Sequence, residues 1–256
     1  MQHKKSYSIT GINEMTLNLS NEVLNRRVFK PAILEKHINN FLLGRTKSYL
    51  RKDKITLDIG AAVGMYSSFF AQYSKHVHSF EAVPPVYAQL VKIKGKYDNV
   101  TTYNKAVCDF VGESEFYVDD KRLSNSGFQN LVGGQKITVD TVTVDSMGFS
   151  NVGFMKVDVE GNELDVLNGS VNTLNENRPV CMIEIYEKFN KYPCSTTFEF
   201  FFDSDYDCYV NYRLNAPQYG KVPGLYKVES MDQALEEIKL PEITDGDFLF
   251  VPKEEK

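Results

Sequence analysis

Leu57-Asp58-Ile59-Gly60-Ala61-Ala62-Val63-Gly64-Met65-Tyr66 is the stretch that decides how this chain is read. Ile55 to Ile59 form a short β-rich run, and the residues beyond Gly64 take up helical spacing, so a strand runs into a helix here. Gly60 and Gly64 permit a tight turn and Ala61 and Ala62 keep the side chains small. The helix start offers N–H groups to a ligand's phosphate or carboxylate. A lone Gly-x-x-x-Gly also fits an ordinary strand-to-helix turn. The second element is Glu81, which ends the next strand-like run, Val77 to Phe80, 23 residues after Asp58. A carboxylate about 20 residues beyond a glycine turn binds a ribose diol in nucleotide-binding α/β folds.

NAD and S-adenosylmethionine both satisfy that pairing, and the glycine spacing separates them. The dinucleotide fingerprint G-x-G-x-x-G laid on Gly60 needs glycines where Ala62 and Met65 stand, and a Met side chain obstructs close helix–strand packing. The pattern fits instead the G-x-G-x-G loop of class I methyltransferases, with Ala62 in place of the middle glycine.

Working outward, further β-rich runs (Val100 to Tyr103, Phe154 to Val159, Val180 to Ile185) alternate with stretches of helical spacing, which predicts a parallel sheet with helices on both faces. Between the third and fourth strands lies an insertion, Gly112 to Met147. Its EFYVDD and ITVDTVTVD segments alternate with period two, predicting antiparallel strands joined by the polar loop LSNSGFQNLVGG. Tyr206 to Tyr212 and Asp247 to Val251 read as two more strands, around a short helix, Ser230 to Lys239, opened by a capping box of Ser230 and Gln233. FEFFFDSDY, Phe198 to Tyr206, reads as a core-facing helix end.

The 256 residues suit one α/β domain with a modest extension, and no internal repeat or linker divides them. Residues 1 to 54 hold eleven Lys/Arg against four acids, a local +7 in a chain whose total is −5, leaving −12 for the remainder. The leading segment therefore reads as a basic helical extension, with Ile33, His37, Phe41 and Leu42 sharing one face, before a catalytic domain from 55 to 256. Its charge either steers an anionic partner or is a solvated arm on an acidic body. No run of eighteen apolar residues occurs, and no apolar run follows the basic residues of the start, so the expectation is a cytoplasmic protein without a membrane span. Cys108, Cys181, Cys194 and Cys208 fit neither a disulfide framework nor a zinc cluster and read as reduced thiols.

The third motif is FMKVDVEGNELDVLNGS, Phe154 to Ser170. An apolar strand delivers Asp158 and Glu160 to its carboxyl edge, where open parallel sheets bind ligands. Gly161 turns the chain into a helix whose Leu164 and Leu167 face inward. Asp158 or Glu160 at that position can simply cap the helix, but two carboxylates at the lip of the same crevice as Gly60 favour a functional role over capping alone. The last run, PVCMIEI, brings Glu184 to the same edge.

Taken together, IGAAVGMYS, FEAVPPVY, NKAVCD, TVDS, KVDVEGNELDVLNG and IEI resemble the FkbM family of S-adenosylmethionine-dependent methyltransferases over about residues 55 to 186. The resemblance implies a Rossmann-like class I methyltransferase fold: a mostly parallel seven-stranded sheet, helices on both faces and an antiparallel final strand. It implies methyl transfer to a hydroxyl, of a sugar or another natural-product scaffold. By position it sets the methionine part of S-adenosylmethionine against Asp58, Gly60, Ala61, Gly64 and Tyr66, the ribose hydroxyls at Glu81, and the adenine by Asn104 to Ala106. Asp158, Glu160 and Glu163 match its acidic block, with Asp158 also beside the cofactor. Acceptor choice is expected in the first 50 and last 70 residues, which match no motif.

Chemically, an alcohol acceptor must lose its proton, and Asp158 is the simplest general base, with Glu160 or Glu184 nearby. The alternative is a divalent cation such as magnesium held by Asp158 and Glu184. His76 and His78 project to one face of a strand without a third ligand and read as two surface imidazoles. His37 is a remoter base. Ser124 to Asn130 is either a lid over the cofactor or a surface turn. Pro84-Pro85 with Tyr87 imitates the N-P-P-Y loop of amino-group methyltransferases but follows the second strand rather than the fourth. The expected partner is a small-molecule or glycan acceptor. The rival readings are an RNA ribose methyltransferase, an NAD-binding oxidoreductase, and a non-catalytic nucleotide-binding module that would tolerate Asp158→Ala.

Overall fold

In the computed structural model, residues 4–7, 17–20, 45–119, 126–130, 133–187, 190–212, 220–240, 244 and 246–253 are described. The parallel strands read from the sequence form as expected: β3 (Ile55–Ile59), β4 (His76–Phe80), β5 (Val100–Tyr103), β9 (Val152–Val157) and β10 (Val180–Glu184). With β11 (Tyr206–Tyr212), β12 (Gly224–Val228) and β13 (Asp247–Pro252) they build a sheet ordered β12-β11-β13-β10-β9-β3-β4-β5. β13 runs antiparallel between β10 and β11, as a final strand of this fold should. The sheet has eight strands rather than seven. The extra one, β12, is the hairpin partner of β11 at the edge. It buries only Val228, so its sequence lacks the apolar alternation by which strands are recognised.

Both faces of the sheet are covered, and that is why its central strands are apolar almost throughout. Along β13, Phe248 and Phe250 point to one face and Leu249 to the other, and all three are buried. On the first face α5 (Cys194–Phe202) lays Phe198 and Phe201 against them, with the Phe201 and Phe250 rings stacked 3.9 Å apart. On the opposite face α1 (Met65–Phe70) packs Phe70 on Phe154 at 5.4 Å. Each such fully buried ring contributes about 2–3 kcal/mol of apolar burial. α2 (Pro84–Lys94) covers the β4–β5 side, and its opening prolines occupy the first turn, where a missing N–H costs nothing. α3 (Glu163–Asn168), α4 (Val171–Asn177) and α6 (Met231–Glu237) complete the layers. Ser230 caps α6, accepting the Gln233 N–H at 3.2 Å. The return bond of the box goes to the N–H of Glu229 instead of Ser230.

The insertion folds as read: β7 (Gly112–Val118) and β8 (Gln135–Val142) pair antiparallel, and β6 (Ala106–Val107) joins β8 to make a three-stranded sheet. In the leading segment, β1 (Lys4–Tyr7) and β2 (Leu17–Ser20) pair antiparallel, which corrects the all-helical reading of residues 1 to 54. Leu17-Asn18-Leu19-Ser20 alternates with the strand period, and that local pattern prevails there. Ile33, His37, Phe41 and Leu42, on which the helix reading rested, lie outside the described residues. All four cysteines are buried free thiols, and among the described residues no helix is long and apolar enough to cross a membrane.

Candidate active site

The carboxyl ends of β3, β9 and β10 meet at one edge, and the loop after β3 is shaped by backbone geometry that few residues tolerate. Gly60, Ala62 and Gly64 all have positive φ, at +76°, +50° and +86°. A Cβ on Gly60 would stand 1.7 Å from the Asp158 carbonyl oxygen, and one on Gly64 would stand 1.8 Å from Ile93 Cδ1. Glycine is thus required at Gly60 by the crossing backbone that follows β9 and at Gly64 by the packing of α2. Ala62 takes the left-handed conformation with a side chain, at about 1–2 kcal/mol of strain. It stands where the methyltransferase loop has its middle glycine.

Glu81 holds this loop. One carboxylate oxygen accepts the Ala62 N–H at 3.0 Å and the other the Val83 N–H at 2.8 Å. The Asn104 amide donates to the carbonyls of Glu81 (2.8 Å) and Ala82 (3.0 Å), so it orients the end of β4.

Beneath the loop runs a buried polar row that the sequence reading did not single out. Ser79, Asp58 and Lys156 are register neighbours across β4, β3 and β9, so their side chains share one face, under α1. Ser79 donates to Ser67 Oγ at 2.9 Å, and Ser67 to Asp58 Oδ2 at 2.5 Å. Lys156 Nζ lies 3.8 Å from Asp58 Oδ1, 3.1 Å from Asp158 Oδ2, 3.3 Å from the Gly60 carbonyl and 4.8 Å from the Tyr66 ring centroid. Burial pushes the Asp58 carboxyl up, while Lys156 and Ser67 pull it back. Burial works against the Lys156 charge, yet Asp158 and Asp58 together raise its pKa. The signal for Lys156 was there: a single cation in the apolar run Phe154 to Val157.

At the lip of the sheet, Asp158, Glu160 and Glu184 each offer an oxygen within 4.8 Å of the others. Glu160 has φ +58° and Gly161 φ +101°, a sharp turn that brings both acids outward. Glu163 stabilises this turn by accepting the N–H groups of Val159 (3.0 Å) and Gly161 (3.1 Å) on one oxygen. Burial raises the Glu163 carboxyl to about 7. Glu163 thus ties the turn that leads into α3, whose N-cap, Asn162, makes no side-chain capping bond, and Asp158 and Glu160 line the cavity. Burial, followed by the charges of Asp158, Asp247 and Glu160, pushes Glu184 well above the usual carboxylate range. The trio is the set of oxygens a divalent cation would use, although the Lys156 ammonium already serves Asp158 as counter-charge.

A cavity of about 310 Å³ opens at this edge. Of the residues singled out from the sequence, Gly60, Glu81, Ala106, Asp158, Glu160 and Glu184 line it. Asp58, Ala61, Gly64, Tyr66, Asn104 and Glu163 do not; they lie behind the wall and shape it. Asp58 is fully buried under the loop, Ala61 packs on Leu90 and Ile93, and Asn104 is turned to the backbone. Ser126 and Phe128, from the loop read as a lid or a turn, line the cavity as well; Ser124 lies outside the described residues. His76 and His78 face neighbours on β5 instead: His76 Nε2 meets Thr101 Oγ1 at 2.8 Å and His78 Nδ1 the Tyr103 hydroxyl at 3.0 Å. They are half-buried rather than surface imidazoles, and burial lowers His78 to about 4.

Comparison with solved structures finds an FkbM methyltransferase from Methylobacillus flagellatus KT at a TM-score of 0.54 and 14% identity, covering 86% of this chain and 50% of that one. The chain therefore spans half the length of that protein. An rRNA methylase from Streptococcus thermophilus superposes with a TM-score of 0.44 at 13% identity (88% and 99% of the two chains). A precorrin-6y C5,15-methyltransferase from Geobacter metallireducens GS-15 gives 0.42 at 10% (81% and 87%). No curated protein matches the sequence. The profile of the methyltransferase FkbM domain matches residues 58–213, a span that takes in the glycine loop, Glu81, the Lys156 row and the acidic lip; the chain belongs to the FkbM methyltransferase family.

Proposed function

We propose that the protein is an S-adenosylmethionine-dependent O-methyltransferase acting on a hydroxyl of a sugar or glycoconjugate, in the cytoplasm. The observation that carries this reading is one cavity lined by Glu81, Gly60 and the Asp158–Glu184 pair together. Glu81, already fixed by two backbone N–H groups, is the partner for the ribose hydroxyls. The Gly60 to Gly64 loop and the acids at the lip, with their negative charge, suit the cationic methionine end.

The cofactor, when bound, supplies an electrophilic methyl group on sulfur. The chain's own residues have two tasks. The cavity walls align the acceptor oxygen with that methyl, which is where much of the rate of such a transfer arises. The carboxyls of Asp158 and Glu184 would receive the proton that the acceptor hydroxyl gives up on methylation. Glu184 has its carboxyl pushed up by burial and lies with an oxygen within 4.8 Å of one on Asp158. Lys156 keeps a positive charge 3.1 Å from Asp158.

The test is calorimetric titration of wild type and Glu81→Ala with S-adenosylmethionine, S-adenosylhomocysteine and NAD, then an acceptor screen with and without magnesium and across salt concentrations. Expected are binding of both sulfur cofactors, weakened at least tenfold by Glu81→Ala, and no binding of NAD. Turnover that vanishes with a chelator assigns Asp158, Glu160 and Glu184 to a cation. A steep salt dependence of RNA binding favours the nucleic-acid alternative.

A further inference from the structure

The acidic lip continues past Glu184. β13 runs antiparallel to β10 with Asp247 opposite Glu184, and β11 runs antiparallel to β13 with Val210 opposite Phe248. One step further along β11 brings Asn211 level with Asp247. Side chains two apart on a strand share a face. Met182, Leu249 and Tyr209 stand two positions deeper in the sheet than Glu184, Asp247 and Asn211, and all three pack in the cluster under α1. The carboxyl edge therefore carries a polar row on the α1 face, from Asp158 on β9 through Glu184 and Asp247 to Asn211. Asp247 is half-buried. Asn211 is only 2% exposed and serves Arg45, whose Nη1 donates to Asn211 Oδ1 at 2.5 Å and to the Tyr212 carbonyl at 2.8 Å. The row is thus closed at β11, with Asp247 as the carboxyl at its end. Tyr66, on α1, stands over it: burial, followed by the charges of Asp247, Asp158 and Glu184, keeps its hydroxyl protonated well above the usual range. Like charges opposed on adjacent strands destabilise a sheet, so the facing of Glu184 and Asp247 is one that the stability of the fold does not call for.

The order of the strands sets the order of the reactants. From Glu81 after β4, the edge runs through the Gly60 loop after β3 to Asp158 on β9, Glu184 on β10 and Asp247 on β13. Sulfur, methyl and acceptor oxygen must lie in line, so the acceptor stands on the far side of the methyl from the sulfur. With the ribose at Glu81, that side is the side of β10 and β13. An acceptor whose reacting hydroxyl meets Asp158 and Glu184 then has its neighbouring groups over β13, one strand spacing of about 5 Å away. Resting on the methyltransferase reading above, we propose that Asp247 is a specificity-determining residue of the acceptor site: its carboxylate accepts a hydrogen bond from a second hydroxyl of the acceptor, so the site takes a polyhydroxylated ring in preference to a lone alcohol. A carboxylate suits that task because its two oxygens accept and never donate, and adjacent hydroxyls can share them. Asp247 also lies in the last 70 residues, which match no motif.

The experiment uses the full chain saturated with S-adenosylhomocysteine and takes the methyl glycosides of mannose, glucose and galactose as probes, with cyclohexanol as the ring that carries one hydroxyl. Saturation-transfer NMR titrations give their affinities for wild type, Asp247→Asn and Asp247→Ala, and calorimetry gives the S-adenosylhomocysteine affinity of each protein. At least one glycoside should bind wild type about tenfold or more tighter than cyclohexanol, as a hydrogen bond to a charged group predicts. Asp247→Ala should weaken that glycoside by about tenfold and Asp247→Asn, which keeps one accepting oxygen, by about threefold. S-adenosylhomocysteine affinity should stay within about twofold of wild type in both, whereas a merely structural role would move both ligands together. Parallel losses of glycoside and cofactor affinity overturn the proposal, because Asp247 then only shapes the edge. Glycoside binding indifferent to both substitutions overturns it too, and so does a cofactor-loaded wild type that binds none of the three glycosides. Thermal unfolding of each variant checks folding; should Asp247→Ala fail to fold, the nearly isosteric asparagine variant decides. A wild-type protein that does not bind S-adenosylhomocysteine refutes the methyltransferase reading itself and the acceptor assignment with it, an outcome distinct from loss of the glycoside alone.

Discussion

Lys156→Met removes the cation from the buried row and leaves its shape nearly unchanged. In the wild type, Lys156 is 3% exposed and faces Asp58 at 3.8 Å and Asp158 at 3.1 Å. Asp58 is wholly buried, and its Oδ1 has no hydrogen-bond partner, so with Lys156 gone the Ser67 hydroxyl is left to support its charge. Breaking a buried pair by deleting one partner destabilises by about 3–5 kcal/mol. At about 2–4 °C per kcal/mol for a chain of this size, the midpoint falls by on the order of 10 °C. The sign with pH follows from the direction of the shift. A lysine whose folded pKa is raised contributes stability that is complete below its unfolded value and is lost only as pH rises through the folded one, so the lysine's own contribution is constant from about pH 6 to 9, while Asp58, raised further once Lys156 is gone, makes the loss larger towards higher pH. Asp58→Asn in the same background relieves the orphaned charge, and the double variant should recover about 2 kcal/mol relative to additive single losses. Urea and thermal unfolding of the four proteins, followed by circular dichroism, close the cycle. Strictly additive losses, or a single-variant loss below about 1 kcal/mol, would refute the claim that Lys156 and Asp58 act as one unit.

Gly60→Ala places a Cβ 1.7 Å from the Asp158 carbonyl oxygen in a left-handed conformation; about 2–4 kcal/mol of stability and measurable S-adenosylhomocysteine binding should both disappear. A normal melting midpoint with normal affinity would contradict the close approach of the two backbones as the reason for glycine. Glu163→Gln keeps both backbone bonds on its amide oxygen while removing an acid raised to about 7. A raised carboxyl stabilises fully below its unfolded pKa and loses that contribution as pH climbs to the folded value, so the variant gains on wild type by up to about 3 kcal/mol between about pH 4.5 and 7 and levels off above. Denaturant midpoints at about pH 5 and pH 8 check this, parallel curves being the negative result.

The parallel core was legible because its strands are buried on both faces and so stand out as unbroken apolar runs. The carboxyls of Glu81, Asp158, Glu160 and Glu184 were legible because acids at the ends of such runs fall at one edge of the sheet. What the sequence did not disclose depends on pairing. Lys156 acquires its meaning from being opposite Asp58 in the register, and a register is a relation between strands 98 residues apart. β12 escaped notice because it is half exposed, and the supporting role of Asn104 because its amide turns to backbone carbonyls at the end of the neighbouring strand. Asp58 and Tyr66 match the family loop by position, yet a position next to a loop does not say whether a side chain points into the cavity or under it.

The backbone geometry at this edge explains why loop and acids occur together. Positive φ is concentrated at Gly60, Ala62 and Gly64 in one turn and at Glu160 and Gly161 in the other, and the two turns touch where Gly60 meets the Asp158 carbonyl. Each strained residue destabilises the fold slightly, and such strain persists only where surrounding structure over-determines it. Here the ties are identifiable: Glu81 fastens the first turn through Ala62, Glu163 fastens the second through Val159 and Gly161, and Lys156 joins them by bridging the Gly60 carbonyl and the Asp158 carboxylate. Relaxing either turn would move a cavity-lining carboxyl. The ammonium of Lys156 therefore does for two loops what the register does for two strands, fixing the distance between the loop that Glu81 holds and the acidic lip at Asp158.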